Sequence, residues 1–297
     1  MSTNVAAERL AVPARETAGA RILRSLNRTP IHIFMGIVAV IWLAPTIGLL
    51  VTSFRPRTDI QSTGWWEVLG TLRFTAQNYL DVLNAAGMGQ AFLNSLIISI
   101  PSTLIPLVVC SLAAYAFSWL KFPFRDSIFL IIVALMMVPV QVAFLPVQQL
   151  FKPFQLTQGY IGIWLAHTAF ALPFGVFLLR NFFITLPRDL IEAARIDGSS
   201  TFGVFRTIVV PPSVPAIAAY GIFQFLWVWN DLLMALVFVQ NGKMWPMTKA
   251  VQNLLSQYGT EWHLLAAGAF ILMAVPLIVF FSLQRYFVQG LLAGSVK

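Results

Sequence analysis

Six stretches of this chain contain no Asp, Glu, Lys or Arg: residues 29–54, 82–120, 127–151, 153–179, 207–230 and 262–284. Each is longer than the about 20 apolar residues with which a helix crosses a hydrocarbon core. They predict spans at 31–52, 92–117, 127–145, 160–179, 215–239 and 264–283. Polar Asn94 and Ser95 open the second, and Asp231 interrupts the fifth. Six long helices buried in a soluble fold would leave too few polar residues to cover them. The pattern predicts an all-α, polytopic membrane protein with six transmembrane helices. It divides into an arm at 1–28, a membrane domain at 29–290 containing a polar loop at 183–207, and a tail at 291–297.

Composition adds an orientation. Only 10% of residues are charged and 58% are apolar, so the cations can be assigned loop by loop. With both termini cytoplasmic, thirteen Lys and Arg lie inside and six outside, which follows the positive-inside bias. The net charge of +8 therefore reads as membrane orientation. No basic run is interleaved with stacking residues, so the charge does not point to nucleic acid. The chain is placed in the cell (inner) membrane as a multi-pass protein in contact with lipid. Its arm lacks the apolar core and cleavage site of a secretory signal, and reads as a flexible or surface-lying cytoplasmic segment. The single cysteine, Cys110, falls inside a span and reads as a small buried hydrophobe.

Two outside loops are sizeable. Residues 55–91 carry a turn signal at Ser62-Thr63-Gly64 and an aromatic pair, Trp65-Trp66, that suits an interfacial anchor; a docking contact for an external partner is the alternative. Residues 240–263 contain Asn241-Gly242 and Trp245-Pro246, followed by a short helix predicted over 248–258.

Between the fourth and fifth spans lies a charged island with its own helix. Thr185 suits the cap, Pro187 the first turn and Gly198 the exit. Leu186, Leu190, Ile191 and Ala194 make one apolar face. Arg188, Glu192 and Arg195 lie at i, i+4 and i+7 on the other, so Glu192 can pair with either arginine. About a dozen residues are marginal as an isolated helix in water, so this one needs a surface to dock against. An ordinary membrane-surface helix is the plain alternative.

The island reads Glu192-Ala193-Ala194, three residues, Gly198, nine residues, Ile208 and then Pro211. This spacing resembles the cytoplasmic EAA loop of binding-protein-dependent ABC-importer permeases, EAA-x3-G-x9-I-x-L-P, with Val210 in place of the usual Leu. Asn94-Ser95, Met137-Val138-Pro139 with Pro146, Trp229-Asn230-Asp231, and residues 284–291 with Gly294 are similar to carbohydrate-importer permeases of the maltose-transporter type. Among these, the chain looks closest to α-glucoside, trehalose and glucosylglycerol permeases. The resemblance covers roughly residues 30–297. It implies the type I ABC-importer permease fold and transport of a sugar or small glycoside. It also implies a second homologous permease, two ATPase subunits and an extracytoplasmic solute-binding protein as partners. Glu192, Ala193, Ala194, Asp197 and Gly198 would then couple the spans to the ATPase. In that role Glu192 is the charged contact, the alanines permit close approach, and Gly198 turns the chain sharply. Asn94, Gln141, Trp229, Asn230 and Asp231 are the candidates for the translocation path.

Enzymatic chemistry finds no support. There is no G-x-x-x-x-G-K-[ST], so the chain is expected to bind no cofactor, and ATP and Mg²⁺ fall to the partner ATPase. H-E-x-x-H and G-x-S-x-G are absent too, and His32, His167 and His263 are too scattered for a metal site. His167 reads as packed or pore-lining. An ion-gradient-driven secondary transporter would need ionisable groups inside several spans, and only Asp231 qualifies. That carboxylate has two readings: a pathway contact beside the sugar-stacking faces of Trp227 and Trp229, or a structural lock near the outer interface.

Overall fold

The charge-free runs fold as helices in a computed structural model that describes residues 18–84, 87–257 and 261–293. Helix α1 (Ala18–Ser53) starts inside the arm predicted to be flexible. The Ala, Arg and Leu of that stretch are strong helix formers and continue the first span without a break. Residues 1–17 of the arm lie outside the described residues. The loop predicted at 55–91 holds α2 (Arg57–Ser62), α3 (Val68–Thr71) and α4 (Gln77–Asn84). Its turn closes around the buried Arg55, whose guanidinium donates to the carbonyls of Asp59 (3.1 Å) and Gly64 (3.0 Å). Trp65 packs on α1 so closely that a Cβ on Gly48 would stand 2.9 Å from its indole nitrogen, while Trp66 remains exposed.

Helix α5 (Met88–Trp119) follows the expected second span. The third does not run straight. Helix α6 (Arg125–Ala134) tightens into a 3₁₀ turn at Leu135–Met137, and α7 (Val140–Phe151) sets off in a new direction. The two limbs, Arg125–Met137 and Val140–Phe154, meet at 106°. Pro139 has no N–H to donate, and its ring drives Val138 into an extended conformation (φ −80°, ψ 122°). The stretch predicted as a single crossing at 127–145 is therefore divided between two limbs.

Helix α8 (Tyr160–Phe183) is the fourth span, followed by α9 (Arg188–Ile196). The fifth crossing differs from its prediction at both ends. It begins with α10 (Thr201–Val204), passes through a π turn at Phe205–Val209, and continues as α11 (Val210–Asn230). Pro211 and Pro212 withhold two amide donors, and the widened turn before them accommodates that loss. The chain breaks at Asp231, so α12 (Leu233–Phe238) is a separate element outside the span. Helix α13 (Met247–Gln257) matches the predicted loop helix, and α14 (Trp262–Ala293) is the last crossing. Gly294 lies outside the described residues. Among the described residues, five helical stretches are long and apolar enough to span a membrane, and the bent pair α6–α7, counted as one crossing, makes six.

Helix α5 is central, packed on α8 and α11, with α11 in turn against α14. Helices α5, α8 and α11 crowd together at Gly175 of α8. A Cβ there would lie 2.5 Å from the Tyr220 ring and 2.6 Å from the Cys110 sulfur. Cys110 is fully buried, its Sγ 3.3 Å from the Tyr220 hydroxyl, in the role read from its place in the span. The outward faces of α1 and α6 stay apolar and exposed, including Phe34, Trp42, Leu130 and Ile131. That is the surface a bilayer covers.

Candidate functional site

Helix α9 is built by local rules. Pro187 is its N-cap (φ −60°, ψ 129°), one position earlier than the predicted first-turn role. Thr185 does not cap it, because its hydroxyl donates backward to the Phe182 carbonyl (2.7 Å). The exit is a Schellman turn. Gly198 takes φ 81°, its N–H reaches the Arg195 carbonyl (3.1 Å), and the Ser199 N–H reaches the Ala194 carbonyl (3.0 Å).

One side of α9 is docked. Ile191 and Ala194 are buried with Tyr115, Leu179, Phe183 and Val204, and Leu186 is half-buried against them. Leu190, predicted to share that face, is 53% exposed. Glu192, Ala193, Asp197 and Gly198 are all exposed. The predicted ion pair of Glu192 with Arg188 or Arg195 does not form among the described residues. Arg195 instead donates to the Trp119 carbonyl (3.0 Å), an acceptor left over at the end of α5. A charge-assisted bond to that carbonyl is worth more than a water-screened pair on one helix surface. The Tyr115 hydroxyl meanwhile donates to the Thr201 carbonyl (3.0 Å). The first bond ties α9 to the end of α5 and the second ties α5 to the start of the Thr201–Asn230 helix, and among the described residues the outer face of α9 has no side-chain partner.

The candidate path residues lie toward the other end of the spans, and the structure divides them. Asn94 is a buried pin. Its Nδ2 donates to the carbonyls of Lys243 (2.9 Å) and Trp245 (3.0 Å), and its Oδ1 accepts from Gln90 (2.9 Å) and the Tyr160 hydroxyl (2.8 Å). Ser95 beside it accepts from the Met247 N–H (2.8 Å), so the pair fastens the 243–247 segment to α5 and α8. Trp229 is 1% exposed. Its indole donates to the Leu272 carbonyl (2.8 Å) and its ring stacks on Phe225, so it faces neighbouring helices and presents no open stacking surface. Asn230 is exposed and donates to the Leu226 carbonyl (2.8 Å). Gln141 stands exposed on the first turn of α7. The nearby bend encloses an apolar cavity of about 440 Å³ lined by Val138, Phe170, Phe174 and Trp227, among others.

Asp231 explains the break in the chain. Its carboxylate accepts from the Leu233 N–H (3.1 Å) and the Met234 N–H (3.1 Å), which caps α12 and draws those donors away from a continued α11. Its carbonyl accepts from the Thr248 hydroxyl (3.0 Å), and the buried His167 lies with Nε2 3.7 Å from Oδ2. Sequence reasoning treated His167 and Asp231 separately. The signal that could have joined them is that each is the lone ionisable group of its apolar run. Neither groups with further His, Cys, Asp or Glu into a metal-binding cluster among the described residues.

Residues 107–292 match the family described as binding-protein-dependent transport system inner membrane component. The osmoprotective compounds uptake permease protein GgtD of Synechocystis is 51% identical over 276 residues, covering 91% of this chain and 93% of that one. The alpha-glucoside transport system permease protein AglG of Rhizobium meliloti is 50% identical over 231 residues, 76% of this chain and 61% of the longer relative. A subunit in the crystal structure of a bacterial ABC transporter involved in alginate import superposes with a TM-score of 0.74 at 19% identity, covering 92% of this chain and 99% of its own. That likeness shows the type I permease fold. The chain belongs to the inner-membrane components of binding-protein-dependent transport systems, the membrane-embedded permeases of ABC importers.

Proposed function

We propose that this chain is one of two homologous permeases in an ATP-driven importer of a sugar or small glycoside, and that α9 is where two ATPase subunits drive it. The observation that carries the reading is the half-docked state of α9. Its inner face is locked into the core by Ile191 and Ala194, and its outer face offers Glu192, Ala193, Asp197 and Gly198 without a partner. A push on that face passes through the Arg195–Trp119 and Tyr115–Thr201 bonds into α5 and into the long Thr201–Asn230 helix. The second of these ends at Asp231, so movement there bears on the α11–α12 break and the 243–247 segment. Such rods suit alternating access, in which ATPase closure changes the side to which the pathway opens. ATP and Mg²⁺ are bound by the ATPase subunits, and an extracytoplasmic binding protein delivers the substrate. The α-glucoside class is supported by the name of one relative, the alpha-glucoside permease AglG. Both termini and residues 183–207 face the cytoplasm, and the loops around α2–α4 and α13 face outward. Within the path, the exposed Asn230 and Gln141 are the contacts favoured for substrate.

The test is uptake of a labelled α-glucoside by proteoliposomes holding the whole complex. Uptake should require ATP, survive an ionophore and fall in Glu192→Ala. Uptake that ignores ATP and collapses with the ion gradient would make the chain a secondary transporter instead. In intact cells, a cysteine at Ser62 should react with an impermeant reagent and one at Ser199 should not; the reverse pattern overturns the orientation.

A further inference from the structure

Where α5 ends and α6 begins, two adjoining clefts of about 540 and 240 Å³ share Lys121, Arg125 and Arg188, and the smaller adds Arg195. Two acidic side chains, Asp126 and Glu192, line the same clefts. Asp126 is engaged by Arg125 (3.0 Å). Among the described residues Lys121 and Arg188 have no ion pair. Glu192 has none either, so among the described side chains of the clefts the cations outnumber the carboxylates left to meet them. What the clefts lack is an anion with several oxygens.

The rim narrows the source of that anion. Phe124 is held at φ 60°, a conformation strained for a bulky side chain, and its ring is 78% exposed. Beside it rises the apolar outer flank of α6, with Leu130 and Ile131 both more than half exposed. Cations at the foot of a lipid-facing helix, next to an aromatic ring thrust outward, match the headgroup level of a bilayer. We propose that Lys121, Arg125 and Arg188 bind the phosphate of an anionic phospholipid, with Phe124 seated at the top of its acyl chains. This goes beyond the transport reading and needs only that the chain is membrane-embedded.

The test is native mass spectrometry of the purified whole complex titrated with phosphatidylglycerol or phosphatidylcholine. The wild type should retain phosphatidylglycerol preferentially, and the preference should fade at high salt. Removing cations should weaken it roughly fivefold each, so that the triple variant K121Q/R125Q/R188Q loses about a hundredfold. Lys121→Gln alone, at an exposed position, carries the test without risk to folding. Equal retention of the two lipids by the wild type, or unchanged phosphatidylglycerol retention in the variants, overturns the site. Displacement of the lipid by inorganic phosphate at millimolar concentration would make it a soluble-anion site. If the triple variant keeps its lipid and instead loses the ATPase subunits, the cluster belongs to an acidic protein face and the lipid proposal fails. Because lipid retention is read without ATP or uptake, its failure is separable from failure of the coupling role.

Discussion

Gly198 offers the sharpest test of how α9 works. Its φ of 81° lies in the left-handed region, yet no heavy atom stands within 4 Å of where a Cβ would be. A side chain there is opposed by the backbone conformation and not by a neighbour. The left-handed conformation costs an L-residue roughly 1–2 kcal/mol, least for Asn and most for a β-branched residue. We therefore expect about 0.5 kcal/mol for Gly198→Asn, about 1 for Gly198→Ala and about 2 or more for Gly198→Val. The cost falls on the two exit bonds, Gly198 to Arg195 (3.1 Å) and Ser199 to Ala194 (3.0 Å). Beyond them α9 is held chiefly by Ile191, Ala194 and the Arg195 bond, so its local stability is small. At about 1.4 kcal/mol per tenfold, the valine shifts the balance toward an unwound exit roughly thirtyfold. ATP-driven uptake in proteoliposomes, normalised to inserted protein, should rank wild type, Asn, Ala and Val in that order. Wild-type uptake by Gly198→Val would refute the argument. So would equal loss in all three variants, which would mean that any Cβ is excluded by a contact with a partner and that strain is not the cause.

Gly175→Ala should overpack the α5–α8–α11 crossing, where its Cβ would meet Tyr220 at 2.5 Å and Cys110 at 2.6 Å. A loss of roughly 1–3 kcal/mol, read as a lower Tm in detergent and partly restored by adding Cys110→Ala, is expected; an unchanged Tm would contradict it. Asn94→Leu strands the carbonyls of Lys243 and Trp245, at roughly 1–3 kcal/mol per buried group, and should loosen that segment. A cysteine placed at Lys243 should then react faster with an external reagent, and an unchanged rate would argue against the pin. For Asp231 the capping geometry predicts that Asn, an equally good cap, keeps thermal stability near wild type, whereas Ala costs about 1 kcal/mol. Equal losses for the two would sink the cap, and a fall in uptake by Asp231→Asn at full stability would give the charge itself a place in the path.

The order and class of the spans were legible in the sequence because hydrocarbon excludes charge, so the spacing of Asp, Glu, Lys and Arg already sets where helices cross. The α9 exit was legible for a similar reason. A Schellman turn is closed by bonds a few residues apart, and Gly198 is the residue such a turn requires. The breaks were not. Pro101, Pro106, Pro173 and Pro276 all sit inside continuous helices, whereas Pro139 joins two limbs at a sharp angle, so the residue type alone did not say which proline would bend the chain. Asp231 was visible as an acid in an apolar run, but its cap on α12 and its closeness to His167 arise only once α11 stops and α8 lies alongside. Helical periodicity offered Glu192 two arginines, whereas the fold gave Arg195 to the Trp119 carbonyl, 76 residues away in sequence. Trp229 was equally ambiguous, and packing against α14 turned its ring inward. Local backbone rules and the cost of charge in lipid act within a turn or a span and can be read along the chain. The choice of partner across helices depends on which faces meet, and that is decided by packing all the helices together.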